Sequence, residues 1–289
     1  MKVCGFTFIK NAVKYDFPVV EAITSVLPVC DHFVVAVGHS DDGTREIIEK
    51  IDPGKITITD TVWDDTLKRG GEVYAVETNK AFDAVPPEYD WCFYIQCDEV
   101  IHEKYLTVLK NAMYENLERN EVDGLLFGFR HFYGTYDFVG DSRRWYRNEI
   151  RIIRNDKSIR SYRDAQGFRK DGRKLKVVQI PADVYHYGWV RPPKSMQQKI
   201  AGVKQYYDGV NSVQKMNDNF NYSKNYDSLA KFEGTHPAVM KQRISRMNWH
   251  MDADLKKINM KLKYKILYRF EKLTGIRLFE YRNYSLLNS

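Results

Sequence analysis

The stretch Tyr89-Asp90-Trp91-Cys92-Phe93-Tyr94-Ile95-Gln96-Cys97-Asp98-Glu99-Val100-Ile101 decides the fold. It opens as an apolar, aromatic-rich run of strand length after the turn signal Pro86-Pro87-Glu88. It closes on two adjacent carboxylates, Asp98 and Glu99. Beyond them Tyr105, Leu106, Leu109, Ala112, Met113 and Leu117 recur at helical spacing. The acids therefore sit just past the carboxyl end of a buried strand and before a crossover helix, where open α/β sheets place their ligands. An acid there can hold a divalent metal ion, and the metal a diphosphate. The same two acids would also serve simply as caps on a helix N-terminus.

Upstream, strand and helix alternate. Lys2 to Ile9 reads as the first strand, with Lys10-Asn11-Ala12 as the loop after it. Asp16-Phe17-Pro18 reads as a helix start, an N-cap acid with proline in the first turn, and the helix carries Val20, Ile23, Thr24 and Leu27 on one side. His32 to Val37 is a second strand, followed by the turn-forming Gly38-His39-Ser40-Asp41-Asp42-Gly43-Thr44 and a short helix to Ile51. Lys55 to Thr59 is a third strand, and Glu72 to Ala84 a helix with Val76, Ala81 and Val85 toward the core. Four such alternations call for a parallel, doubly wound sheet.

After Asp123-Gly124 the pattern changes. Leu125 to Phe129 is a strand, followed by an aromatic loop from His131 to Phe138. Trp145-Tyr146, Ile150 to Ile153, Ile159 to Tyr162 and Leu175 to Ile180 are short strand candidates between polar turns. From Lys194 the reading is helical, interrupted by a polar loop at about 208–228. The expected division is a nucleotide-binding and catalytic unit over 1–190 and a helical C-terminal region over 191–289.

Composition narrows the classes. With 289 residues, 43% of them hydrophobic, the chain can bury one large core, with or without an appendage. No run approaches the roughly 18 apolar residues of a membrane span, and the first ten residues lack the shape of a secretory signal. Cys4, Cys30, Cys92 and Cys97 form no Cys-x-x-Cys pair, and three of them fall in or at the end of buried strands. That suits reduced, packed thiols in a cytoplasmic protein and argues against zinc. The net charge of +7 lies in the tail: residues 256–289 hold nine Lys and Arg against Glu271 and Glu280. Residues 1–255 balance, 36 basic against 36 acidic, which leaves no extended track for nucleic acid.

Three motifs stand in order on the first strands: Phe8-Ile9-Lys10-Asn11, Ser40-Asp41-Asp42-Gly43-Thr44, and Asp90-Trp91 with Gln96-Cys97-Asp98-Glu99. Over roughly residues 1–130, and weakly on to His186, the chain resembles a family 2 glycosyltransferase of the GT-A fold, of the bacterial cell-surface polysaccharide type. The resemblance implies an α/β, GT-A-like, mostly parallel sheet with a mixed strand extension. It implies a nucleotide-sugar donor, a glycan or lipid-linked acceptor, a divalent Mn²⁺ or Mg²⁺ ion, and inversion at the anomeric carbon. Asp98 matches the family's metal-contacting Asp, and His186 would be a second ligand or a phosphate contact, unless it is merely packed among aromatics. Asn11, Asp42, Gln96 and Arg191 are the donor-binding candidates that go with it, with Arg163 and Arg169 as further possible clamps. Two departures stand out. Gln96 replaces the first Asp of the family's Asp-x-Asp, and Val37-Gly38-His39 offers no acid for the nucleotide base.

An inverting transfer needs one carboxylate base on the acceptor side. Asp164, between Arg163 and Gln166-Gly167 where relatives tend to carry that acid, is the first choice; Asp137, in the aromatic loop, is the second. Trp63, Tyr133, Tyr136, Trp145 and Trp189 could stack on sugars or simply fill the core. Two rivals share the sheet. A sugar-nucleotidyltransferase wants a glycine-rich loop after the first strand, which Ile9-Lys10-Asn11-Ala12 is not; a degenerate, non-catalytic sugar-nucleotide-binding relative would fit Gln96. In the tail, Leu262, Ile266, Phe270 and Leu273 share one helical face among Lys and Arg, with Gly275 at the C-terminal cap. That helix either packs on the body or attaches the protein peripherally to an anionic inner-membrane surface.

Overall fold

The computed structural model describes residues 1–208 and 220–287. Val3–Ile9 (β1), His32–Gly38 (β2), Ile56–Thr61 (β3) and Trp91–Tyr94 (β4) pair in parallel in the order β3-β2-β1-β4. Successive residues point to opposite faces, and each face has its own helices. Ile9, Phe33 and Val35 pack with Val19–Val26 (α1) and Leu106–Glu115 (α4); Cys4, Phe6, Val34 and Ala36 pack with Glu72–Asp83 (α3). A sheet covered on both sides explains why these strands read as unbroken apolar runs. Thr44–Glu49 (α2) joins β2 to β3.

The extension is mixed. Asn148–Arg154 (β8) runs antiparallel to β4, and Gly124–Tyr133 (β6) antiparallel to β8. Lys176–Trp189 (β12) runs parallel to β6 and, on its other side, antiparallel to Glu99–Ile101 (β5). Phe138–Gly140 (β7), Leu229–Lys231 (β13) and Ser285–Leu286 (β14) complete eleven strands. Ile159–Tyr162 (β9), Gly167–Lys170 (β10) and Arg173–Lys174 (β11) form a separate antiparallel sheet. The expected doubly wound, mostly parallel sheet with a mixed extension is the fold.

Several local expectations are corrected. Asp16 does not cap α1: its backbone is left-handed and its carboxylate pairs with Arg243 at 2.6 Å, while the helix begins at Val19. The buried face of α1 is Val19, Ala22, Ile23 and Val26, so Val20 faces out, as does Val76 on α3. Glu99 begins a strand, and α4 starts only at Leu106. Trp145 and Tyr146 lie in irregular chain just before β8, and of the expected strand Leu175–Ile180 all but Leu175 belongs to a strand that continues to Trp189. After Trp189 come Pro193–Asp208 (α5), Lys241–Ser245 (α6) and Leu262–Thr274 (α7), with β13 between α5 and α6. Of the expected polar loop at 208–228, residues 209–219 lie outside the described residues.

The mixed extension is tied to the parallel half by one buried ion pair. Arg151 on β8 donates to Glu99 from Nε (2.7 Å) and from an amino group (2.6 Å), and neither side chain touches solvent. The same guanidinium reaches the carbonyls of Ile150 and Gln166 and lies between the rings of Tyr94 and Phe129. Glu99 also accepts from the Gln96 backbone N–H at 3.1 Å. Breaking such a pair strands a charge in low dielectric and costs about 3–5 kcal/mol. Arg151→Met should therefore lose about that much in urea denaturation. Arg160→Ala, which breaks the exposed pair with Asp83, should lose under about 1 kcal/mol. Equal losses would refute the assignment.

Candidate functional site

At the carboxyl ends of β1 and β4 lies a cavity of about 450 Å³. Its floor includes Asn11, Gln96 and Asp98; its roof is α5, which contributes Lys199 and Tyr206. Trp63, Tyr74 and Tyr206 form an aromatic wall with ring centroids 5.5–5.8 Å apart. The Trp63 indole N–H is buried and has no partner among the described residues.

Asp98 is the electrostatic centre. Lys199 Nζ donates to its Oδ2 at 3.0 Å and to the Gly188 carbonyl at 2.8 Å. His186 Nε2 stands 3.7 Å from Oδ1. Burial pushes the Asp98 carboxyl up, but Lys199, His186 and Arg191 together outweigh it and hold it well below the usual carboxylate range. Burial, then Arg191, lowers Lys199 to about 8 against the pull of Asp98, so the pair is ionic at neutral pH. Arg191 is fully buried on the ring of Phe17, donates to the carbonyls of Tyr15 and Gly188, and has no carboxylate partner among the described residues. Its Nε is orphaned. Two buried cations thus face one carboxylate; Asp98 and Lys199 border the cavity, whereas Arg191 and His186 lie behind it.

The histidines fix which nitrogen faces Asp98. His131 Nε2 is 2.9 Å from the Tyr146 carbonyl and must donate there, which makes its Nδ1 the acceptor for His186 Nδ1 at 3.0 Å. Burial lowers the pKa of both rings. Neutral His186 is then left with a bare Nε2 lone pair toward Asp98, as a metal ligand requires. Gly188 keeps this space open: a Cβ there would meet His186 Nε2 at 2.5 Å and Asp98 Oδ2 at 2.8 Å. Among the described residues no three His, Cys, Asp or Glu side chains gather as a complete metal site. Asp98 and His186 are two donors only, and Lys199 already holds Asp98 Oδ2, so an ion here would need a ligand's phosphates and water to complete its shell.

The other candidates divide. Asn11 borders the cavity in a left-handed conformation, its N–H on the Ser40 hydroxyl at 3.0 Å. Asp42 does not border it; its carboxylate takes the N–H groups of Lys14 (2.7 Å) and Thr44 (3.1 Å), clasping the loops after β1 and β2. Gln96 turns its amide to the Tyr94 hydroxyl (3.3 Å) and the Ala165 carbonyl (3.1 Å). A carboxylate could not donate there, which gives Gln at this position a physical reason. Asp164, next to that carbonyl, borders both this cavity and a second one of about 800 Å³, and accepts from the Tyr207 hydroxyl at 3.3 Å. Arg163 borders only the larger cavity. Asp137 is exposed, bonded to Thr135 at 3.1 Å, and borders neither. Arg169 is spent on the Asn283 carbonyl and the ring of Tyr162.

Sequence reasoning missed Lys199 and Arg151, for each lies in an ordinary polar or strand pattern without a motif. It also passed over Glu149, buried in the wall of the larger cavity with Asn283 donating to it at 2.9 Å. Burial, opposed by Arg151, raises the Glu149 pKa from 4.5 to about 7.

No family model matches the sequence, and no curated protein matches it. Among solved structures the chain is similar to residues 1–349 of S. aureus TarS, at 15% identity over 72% of this chain and 66% of that one, TM-score 0.40. The same S. aureus fragment has also been solved with UDP. The chain spans 39% of a longer TarS structure. It is also similar to 4-diphosphocytidyl-2C-methyl-D-erythritol synthase from Anaerococcus prevotii (11% identity, 53% of this chain and 71% of that one, TM-score 0.35). A third likeness is mannosyl-3-phosphoglycerate synthase from Rubrobacter xylanophilus (15% identity, 45% and 41%, TM-score 0.31).

Glu149 makes a pH prediction. The unfolded chain releases this proton near 4.5 and the folded protein near 7, so stability is full below about 4.5 and falls as pH rises to about 7. At roughly 1.4 kcal/mol per pK unit the loss is about 3.5 kcal/mol. Glu149→Gln should therefore gain stability over the parent between pH 5 and pH 8 in denaturant titrations. A pH-independent difference would show that Glu149 is ionised throughout.

Proposed function

We propose that the protein transfers a sugar from a nucleotide-diphosphate sugar to an acceptor hydroxyl. The buried Asp98–Lys199–Arg191 constellation carries this reading, since Lys199 at the cavity and Arg191 behind it leave a positive surplus that suits a diphosphate. The aromatic wall of Trp63, Tyr74 and Tyr206 suits the flat faces of a nucleoside or sugar. A divalent ion held by Asp98 and His186 would neutralise charge on the departing diphosphate. Lys199 and Arg191 add fixed positive charge to the same end of the donor.

In the reaction the acceptor oxygen attacks the anomeric carbon while the bond from that carbon to the phosphate oxygen breaks. The electron pair leaves with the diphosphate, and the acceptor proton passes to a carboxylate. Asp164 is our choice for that base, because it stands where the two cavities meet. Gln96 positions it by holding the Ala165 carbonyl. A single displacement of this kind inverts the anomeric carbon. A nucleotidyltransferase remains the rival, and product analysis distinguishes it: transfer to a sugar phosphate with release of pyrophosphate would favour the rival.

Acceptor access suggests where the protein works. The polar side of α7 docks on the body, Glu271 on Arg143 (2.7 Å) and Tyr268 on Asp141 (2.6 Å), and no residue of the helix is buried. Its apolar side faces out, Leu262 at 74%, Ile266 at 61% and Leu273 at 87% exposure. No helix among the described residues is long and apolar enough to cross a membrane. An apolar stripe flanked by Lys and Arg suits shallow attachment to anionic lipid, at about 1 kcal/mol per basic residue near the surface. Such attachment would bring a lipid-linked acceptor within reach.

Two experiments test this. In a thermal-shift panel of nucleoside diphosphates and their sugars, with Mn²⁺ or with EDTA, at least one nucleotide should stabilise the parent. Asp98→Asn should abolish the metal dependence of that shift and Lys199→Gln should weaken it. Asp164→Asn should preserve it while lowering turnover by about 10²-fold or more, as loss of a general base does. No stabilisation by any nucleotide would sink the reading, and near-normal turnover of Asp164→Asn would remove Asp164 as base. For the second, a Leu262→Ser, Ile266→Ser, Leu273→Ser variant should no longer co-sediment with phosphatidylglycerol vesicles that retain the parent; equal retention would exclude the membrane role.

A further inference from the structure

The larger cavity, about 800 Å³, adjoins the donor cavity at Asp164 and has a different chemistry. Six arginines line it against four carboxyl groups. One of those four, Glu149, is held half-neutral near pH 7 by burial. Arg143, Arg147 and Arg277 are spent on Glu271 and Glu280, which fixes the wall: Arg147 grips Glu280 through two bonds of 2.9 Å, and Arg277 donates to the Trp145 carbonyl at 2.8 Å. Arg69, Arg144 and Arg163 have no carboxylate partner among the described residues and border the cavity. Arg144 rests over Trp145 and Trp189 (5.8 and 5.9 Å) and Arg163 over Tyr162 (5.6 Å), at the outer reach of a cation–π contact. The rest of the wall is rich in aromatics, among them Trp145, Tyr162, Tyr281 and Tyr284.

From this geometry we infer that the larger cavity binds an anionic saccharide, one bearing phosphate or carboxylate groups, and presents its hydroxyl at Asp164. Arginines with no counter-ion supply planar, bidentate donors that match phosphate and carboxylate oxygens. The rings supply stacking faces for the sugars between. Arg69, Arg144 and Arg163 are exposed and solvated, so an anionic saccharide would gain their charge where a neutral glycan would not. The acceptor role rests on the transferase reading above; the anion-binding role does not. The basic tail gains a second use here, because Arg277 and Tyr281 belong to this wall.

The test measures binding of three probes by calorimetry and tryptophan fluorescence: an oligogalacturonate (carboxylate), a glycerol-phosphate oligomer (phosphodiester) and a malto-oligosaccharide (neutral). At least one anionic probe should bind, the neutral one at least about ten-fold more weakly, and salt should weaken the anionic probe as screening requires. The Arg69→Gln, Arg144→Gln double variant should weaken that probe about ten-fold or more while leaving nucleoside diphosphate binding unchanged. Which anionic probe binds identifies the charged group. Equal binding of the neutral probe, no effect of the arginine substitutions, or displacement of the anionic probe by nucleoside diphosphate would each overturn the inference. If no nucleotide binds the parent yet the anionic probe does, the transferase reading fails and the anionic site stands.

Discussion

The position of Asp98 depends on the neighbouring buried pair of Glu99 and Arg151. Two charges are taken fully out of water, which is costly unless every donor and acceptor is matched. Here most are: the guanidinium spends four of its five N–H groups on both carboxylate oxygens and two carbonyls, and the carboxylate also takes the Gln96 N–H. Those bonds fix the chain between β4 and β5 and leave its next carboxylate, Asp98, directed into the cavity. The pair also joins strands far apart in sequence, so the parallel half and the mixed extension meet at the point where the site is built.

Around Asp98 the protein assembles charge from separate elements. His186 comes from β12 and its orientation from His131 on β6, across a register in which the two residues are paired. Arg191 follows β12, and Lys199 comes down from α5. None of these groups is charged to advantage alone. Together they stabilise one buried carboxylate, leave a surplus of positive charge, and keep an N–H unused.

The C-terminal segment inverts the usual logic of an amphipathic helix. An apolar stripe normally covers a core. In α7 the polar side makes the contacts, through Glu271 and Tyr268, and the stripe is left in solvent. The segment after it returns along the body, where Glu280 and Asn283 meet Arg147 and Glu149 and close the larger cavity. The tail therefore shapes a wall of the site as well as a surface.

The sequence by itself determined the sheet and the place of the site. Apolar runs at β1, β2 and β4 can only be central strands, and an acid ending such a run falls at the mouth of the sheet whatever the rest of the chain does. The place of Asp98 was legible for that reason; Asn11, His186 and Asp164 were named only from the resemblance to a family, not from the pattern of the run. Tertiary structure decided the partners. That Glu99 is a strand residue locked to Arg151, that Asp42 clasps backbone, that Gln96 faces a carbonyl, and that Lys199 occupies Asp98 depend on contacts between residues 28 to 101 positions apart. Local pattern encodes periodicity and turn chemistry, but a charge finds its counter-charge only when the chain has closed. The same holds for α7, whose stripe reads alike whether it will be covered or left exposed.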